Sequence, residues 1–222
     1  MTVLAPGTRE NNVTTEQIQR LLTESVECGY TWRRFSVLGG EPTVHPQFEE
    51  IVDLLCEYRR AHNPNLHIRL STHGNGPAVA RKLAWLRERH PCVEILDTQK
   101  TSNEQSDFDA INIAPQDLDP EWHASHQYEG CQIPSVCGIG FNYAGFYVCA
   151  IAGAIDRIYG LDLAIKDLRK LNSEQLMATY NAVCSKCGHY RPLRENKTTL
   201  VSISWRRALQ QYKEGDRKHS RW

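Results

Sequence analysis

Arg34-Phe35-Ser36-Val37-Leu38-Gly39-Gly40-Glu41-Pro42-Thr43-Val44-His45-Pro46 is the stretch on which the fold turns. Residues 34–38 have the apolar, aromatic and β-branched character of a strand, and two glycines and a proline then break it abruptly. Pro46 opens a helix whose apolar residues Phe48, Ile51, Val52, Leu54 and Leu55 recur at helical spacing. Strand, loop and helix in that order form the repeating unit of a parallel sheet.

Working outward, the same grammar recurs. Thr14-Thr15-Glu16-Gln17 reads as a capping box, and Ile18, Leu21, Leu22 and Val26 continue it as a helix that stops at Gly29. Residues 66–70 are β-like, Ser71-Thr72-His73-Gly74-Asn75-Gly76 turns, and Pro77 starts a helix carrying Val79, Leu83 and Leu86. Val93-Glu94-Ile95-Leu96 is the next strand; a polar segment, 97–107, follows, and 108–113 reads as one more strand before Pro115. Such alternation predicts an α/β fold with its ligand loops at the C-terminal ends of parallel strands.

After Pro115 the pattern changes. Ile139-Gly140-Phe141-Asn142-Tyr143-Ala144-Gly145-Phe146-Tyr147-Val148 predicts a hairpin, 155–158 and 173–183 predict helices, and 204–212 predicts a last helix with Trp205, Leu209 and Tyr212 on one face. Residues 216–222 read as frayed. The expected organisation is a first domain over 1–115, a cysteine-rich α+β annex over 116–193 and a helical tail over 194–222. Trp32, Trp85, Trp122 and Trp205 are read as packing residues.

Composition narrows the function. Lys+Arg and Asp+Glu are equal at 26 each, so the basic footprint of a dedicated nucleic-acid binder is missing and a small-molecule or protein partner is expected. No stretch approaches the roughly 18 apolar residues that span a bilayer, and the first residues lack the basic and apolar regions of a signal peptide. No membrane partner is expected, and the localisation read from this is cytoplasmic, where thiols stay reduced. No P-loop, Ser/His/Asp order or dinucleotide fingerprint occurs, since Gly138-Ile139-Gly140 lacks a third glycine at the needed spacing.

The eight cysteines divide. Cys28, Cys56 and Cys92 lie far apart in or beside apolar-periodic segments and read as buried thiols. Cys131, Cys137, Cys149, Cys184 and Cys187 lie among glycines and aromatics instead. Cys184-Ser185-Lys186-Cys187-Gly188 is a knuckle in which two thiolates face one metal while the glycine lets backbone amides turn toward sulfur. Cys131 and Cys149, brought in by the hairpin, complete four thiolates, which suit either zinc or an iron–sulfur cluster. Cys137 is either the substitute for Cys131 or a small buried residue. A thioredoxin-like dithiol does not fit, because Cys184 closes a helix instead of opening one.

Gly39-Gly40-Glu41-Pro42 with Thr43-Val44-His45-Pro46 resembles the GGEP-TxHP loop of radical S-adenosylmethionine (radical SAM) enzymes. The resemblance implies a partial (β/α) TIM-like barrel in which this loop contacts the methionine amino group: glycines permit close backbone approach, and carbonyls with the Glu41 carboxylate receive an ammonium. Ser71 and Thr72 fall where the family often has T-N-G near the cofactor ribose, with His73 in place of the asparagine. His45 reads as structural and Glu41 as a positioned residue rather than a general base.

The annex is similar to the family's SPASM or twitch module, in which a cysteine, a glycine-containing hairpin with a second cysteine and a later CxxC hold an auxiliary [4Fe–4S] cluster. Cys131, Gly145, Cys149, Cys184 and Cys187 follow that order, and a single CxxC fits the shorter, one-cluster form. The family's first loop carries CxxxCxxC, whose iron cleaves S-adenosylmethionine to a 5′-deoxyadenosyl radical; the resemblance puts that loop upstream of Leu4-Ala5-Pro6-Gly7. The implied function is modification of a peptide or small metabolite, with a protein electron donor as a further partner. The competing expectation is a non-catalytic iron–sulfur or zinc-binding partner or electron carrier.

Overall fold

The computed structural model describes residues 5–100, 108–118, 131–190, 197–215 and 221–222. The chain forms two compact units, one continuous, Asn12–Glu104, and one assembled from Met1–Asn11 with Gln105–Trp222. Residues 108–115 and the C-terminal helix, assigned from sequence to the barrel and to a separate tail, belong to the cysteine-bearing unit. Most of the polar segment after Asp97, and Trp122, lie outside the described residues.

The continuous unit opens with α1, Thr15–Glu27. The capping box is formed: the Thr14 hydroxyl accepts from the Gln17 amide and the Gln17 side chain accepts from the Thr14 amide. Strands β1 (Arg34–Val37), β2 (His67–Thr72) and β3 (Val93–Asp97) pair in parallel in the order β1-β2-β3, with Phe35 opposite Ile68 and Leu70 opposite Ile95. Between them run α2, Phe48–Ala61, and α3, Pro77–Arg89. Ile68, Leu70 and Thr72 alternate inward along β2 and are buried, as are Leu21 and Leu22 of α1, Phe48, Val52 and Leu55 of α2, and Val79, Leu83 and Leu86 of α3. The alternate β2 positions His67 and Arg69 instead meet Glu94 of β3 in ion pairs. The sheet thus has one apolar and one polar face. Three parallel strands are present, and the described residues form no closed barrel.

Two boundaries differ from the sequence reading. α2 begins at Phe48, because Pro42–Val44 forms a 3₁₀ turn first and the Phe48 amide closes on the His45 carbonyl. β2 runs on to Thr72, since Ser71 and Thr72, read as turn residues, pair with Leu96 and Asp97. Trp32 donates its indole N–H to Ser25 Oγ, and Trp85 packs edge-on against Phe48.

In the second unit β4, Phe108–Asp109, pairs antiparallel with β7, Lys197–Thr198. The expected strand over 108–113 stops there, and Ala110–Asn112 winds into a 3₁₀ turn. The turn carries Ile111 and Ala114 into the same core, both fully buried, which two residues three apart on a strand cannot achieve. Short helices α4 (Pro115–Leu118) and α5 (Ile133–Cys137) precede the expected hairpin, β5 (Gly140–Asn142) with β6 (Gly145–Tyr147). α6 (Ala152–Tyr159), α7 (Ser173–Cys184) and α8 (Ile203–Lys213) complete the unit. Asp156, fully buried on α6, accepts from the Tyr147 hydroxyl and the Leu163 amide, which satisfies the carboxylate inside the core.

Trp205 of α8 is fully buried among Ile155, Tyr180 and Val183, and donates its indole N–H to the Lys186 carbonyl at 2.6 Å. Trp222, read from sequence as frayed, is docked: its rings meet Phe141 and Phe146 edge-on, and its indole N–H donates to the Lys166 carbonyl. Aromatic burial outweighs terminal disorder there. Among the described residues no helix is long and apolar enough to cross a membrane.

Candidate metal centre

Cys131, Cys149, Cys184 and Cys187 line one cavity of about 20 Å³. Each arrives by a different local device. Cys131 lies two residues before α5, Cys149 follows β6, Cys184 is the last residue of α7, and Cys187 lies on the turn beyond, closed by its amide on the Cys184 carbonyl. The cavity's other walls include Ile133, Val148, Ile151, Ile155 and Val183, so the thiols sit in an apolar shell.

Backbone amides lie beside two of the sulfurs. Those of Ile151 and Ala152 beside Cys149, the latter closing on the Cys149 carbonyl, and that of His189 beside Cys187 act to lower the two thiols. These bonds favour thiolates, but burial opposes them and is the larger effect. Burial, with the charges of Cys131 and Cys137, pushes the Cys149 thiol up to about 11. Burial, with Cys149 and Cys131, pushes Cys184 up to about 12, and Cys187 is raised well above the usual range by burial, Cys149, Cys184 and Cys131. Three buried thiols raised in this way become thiolates together only around a cation. The donor set and the amides therefore suit a thiolate-bound metal group. Among the described residues no three His, Cys, Asp or Glu side chains are already drawn into a metal-holding group.

Cys137 is distinguished from Cys131. It closes α5, does not line the cavity, and its charge acts on Cys149, whereas that of Cys131 acts on Cys149, Cys184 and Cys187. His189 was not singled out from the sequence. It lines the cavity with Nδ1 4.0 Å from Cys131 Sγ, and the signal that could have found it is its place directly after Cys187-Gly188. The glycine is dictated by packing as well: a Cβ at Gly188 would overlap the Ala110 carbonyl oxygen and lie 2.7 Å from that of Ile113.

The other predicted residues lie in the continuous unit. Gly39, Gly40, Glu41 and Pro42 leave the C-terminal end of β1, and Ser71 and Thr72 close β2. The Glu41 side chain is only 6 % exposed. Its carboxylate accepts from the Thr43 amide and hydroxyl, the Thr72 hydroxyl and the His73 amide, with His73 Nε2 3.4 Å away. Burial pushes its pKa up, yet these donors together hold it below the usual carboxylate range. Glu41 thus ties the β1 loop to the β2 loop. The Thr72 hydroxyl is committed to Glu41 and to the Gly74 amide. His45 accepts from the Gln47 amide through Nδ1, in keeping with a structural role.

Gly39 and Gly40 differ from Gly188: a Cβ at either meets nothing within 4 Å. Alanine at each is expected to leave stability within about 0.5 kcal/mol in thermal unfolding of the full chain. A loss above about 1 kcal/mol would assign these glycines to the fold instead of to a ligand.

No family model, curated protein or solved structure matches the chain.

Proposed function

We propose that the chain is a radical SAM-like iron–sulfur protein. Cys131, Cys149, Cys184 and Cys187 hold one auxiliary [4Fe–4S] cluster, and Gly39, Gly40, Glu41 and Pro42 with Ser71 and Thr72 form an S-adenosylmethionine subsite in a partial (β/α) barrel. The substrate is a peptide or small metabolite, and a protein supplies electrons. The observation that carries this reading is the convergence of the four predicted cysteines on one cavity. The barrel reading is supported by three parallel strands with one helix-covered and one polar face, and by a glycine-rich loop at the strands' C-terminal ends.

S-adenosylmethionine, cleaved reductively at a CxxxCxxC-held cluster, supplies a hydrogen-abstracting radical. These 222 residues contain no CxxxCxxC, and none of them is assigned that step. What they contribute is a sulfur-lined, apolar pocket, and a loop fastened by Glu41.

Anaerobic purification followed by iron, sulfide and zinc analysis tests the proposal. About four irons and four sulfides per chain are expected, lost in Cys184→Ala and retained in Cys137→Ala. Equimolar zinc without sulfide would overturn it in favour of a second reading, a zinc-stapled binding module. That reading rests on one observation, a cavity with room for about one water-sized atom beside an imidazole nitrogen, since zinc accepts mixed sulfur and nitrogen donors.

A further inference from the structure

Cys56 and Cys92 belong to the continuous unit and take no part in the sulfur centre. The sequence reading of three buried thiols holds for Cys56, whereas Cys28 and Cys92 are exposed. Each of those two lies just past a helix end, where apolar periodicity no longer buries a side chain.

Cys56 sits on α2, and Cys92 in the short turn between α3 and β3. That turn is fastened to α2 less than one helical turn from Cys56: His90 Nε2 lies 2.6 Å and Arg89 Nε 3.0 Å from Asp53 Oδ1. Asp53 and Cys56, three apart, share a face of α2. His90 and Cys92, two apart, follow the same line. The Asp53–His90 contact therefore carries Cys92 toward the face of α2 that bears Cys56, and both thiols open on one groove. Both residues line an open groove of about 520 Å³ that is flanked by Arg59 and Arg89.

We propose that Cys56 and Cys92 are a redox couple that closes to an intramolecular disulfide on reaction with a small-molecule disulfide. The exposed Cys92 thiolate attacks one sulfur of oxidised glutathione; the glutathione S–S bond breaks, and the released glutathione thiolate takes a proton from water. Cys56 then gives its proton to solvent in the open groove and attacks the Cys92 sulfur, expelling the second glutathione. Two protein thiols are oxidised to one disulfide, and one glutathione disulfide is reduced to two thiols. Burial holds the Cys56 thiol up at about 12, which suits the second, resolving position and leaves the first attack to Cys92. Arg59 and Arg89 offer guanidinium groups to the probe's carboxylates. The cross-link falls at the N-terminal end of β3, opposite the end where Gly39–Pro42 and residues 73–76 emerge.

The test is oxidation of the reduced full chain with oxidised glutathione, followed by alkylation and peptide mapping, which reads these two thiols separately from the sulfur centre. A Cys56–Cys92 linked peptide is expected, lighter than its reduced parts by two hydrogens. Cys56→Ser is expected to accumulate a glutathione mixed disulfide at Cys92, and Cys92→Ser to leave Cys56 reacting at least about tenfold more slowly than Cys92 does. A wild-type chain that keeps both thiols free, or holds a lasting mixed disulfide at Cys92, would overturn the proposal. So would one equivalent of zinc that protects both thiols and is lost from either variant, since Asp53, Cys56, His90 and Cys92 would then be a metal site.

Discussion

Gly188→Ala is expected to destabilise the cysteine unit by about 3 kcal/mol or more, and to abolish metal retention with it. Overpacking a core usually costs about 1–3 kcal/mol, because neighbouring side chains rotate away. Here the obstacles are two carbonyl oxygens, Ala110 and Ile113, on a 3₁₀ turn that holds Ile111 and Ala114 in the core. Moving that turn also disturbs α8, since Ala114 donates its amide to Ser202 Oγ and the Ser202 amide donates to the Asn112 carbonyl. The measurement is chemical denaturation followed by tryptophan fluorescence, with Trp205 as the reporter inside the unit, alongside metal analysis. A variant with wild-type midpoint and full metal content would show that the knuckle does not need its close approach to Ala110.

Glu41→Gln is expected to cost the continuous unit about 2–4 kcal/mol, because one amide oxygen cannot replace two carboxylate oxygens that accept from Thr43, Thr72 and His73. The carboxylate also sets a pH dependence. Its folded-state pKa lies below the unfolded value, so its stabilisation is fully present above the ordinary carboxyl range and is lost as the pH falls through the lower folded value. The wild-type chain should therefore lose stability on acidification below about pH 4, and Glu41→Gln should show a shallower slope there. Equal slopes in the two proteins, measured by urea unfolding across that range, would remove Glu41 as the fastener between the loops.

The parts of the structure legible in the sequence are those set by local periodicity and turn chemistry. Thr14 and Gln17 announced α1, the apolar runs announced β1, β2 and β3, and the glycine-bounded stretch around Phe141 announced the hairpin. The gathering of Cys131, Cys149, Cys184 and Cys187 at one cavity was legible because four cysteines among glycines and aromatics have few structural explanations. What was not legible came from distant partners. Ser71 and Thr72 are turn formers by composition, yet pairing with Leu96 and Asp97 draws them into β2. Residues 110–112 look like a strand until their contact with Gly188 is known. Nothing near Trp222 in sequence signals that its ring packs against Phe141 and Phe146. The shared groove of Cys56 and Cys92 was hidden for the same reason: it depends on Asp53 meeting His90.

The second unit is drawn from both ends of the chain, and this has a temporal meaning. Arg157 holds the Ala5 carbonyl at 2.6 Å, and the Tyr212 hydroxyl holds Asn11 Oδ1 at 3.1 Å. The first eleven residues leave the ribosome long before either partner exists, whereas Asn12–Glu104 is a complete unit as soon as it has emerged. At ordinary elongation rates the stretch from Glu104 to Cys187 takes on the order of ten seconds to make. During that interval the parallel sheet can be finished while Cys131, Cys149, Cys184 and Cys187 have not yet met. Any metal these thiols hold together is therefore acquired by a chain whose parallel sheet has already had time to form.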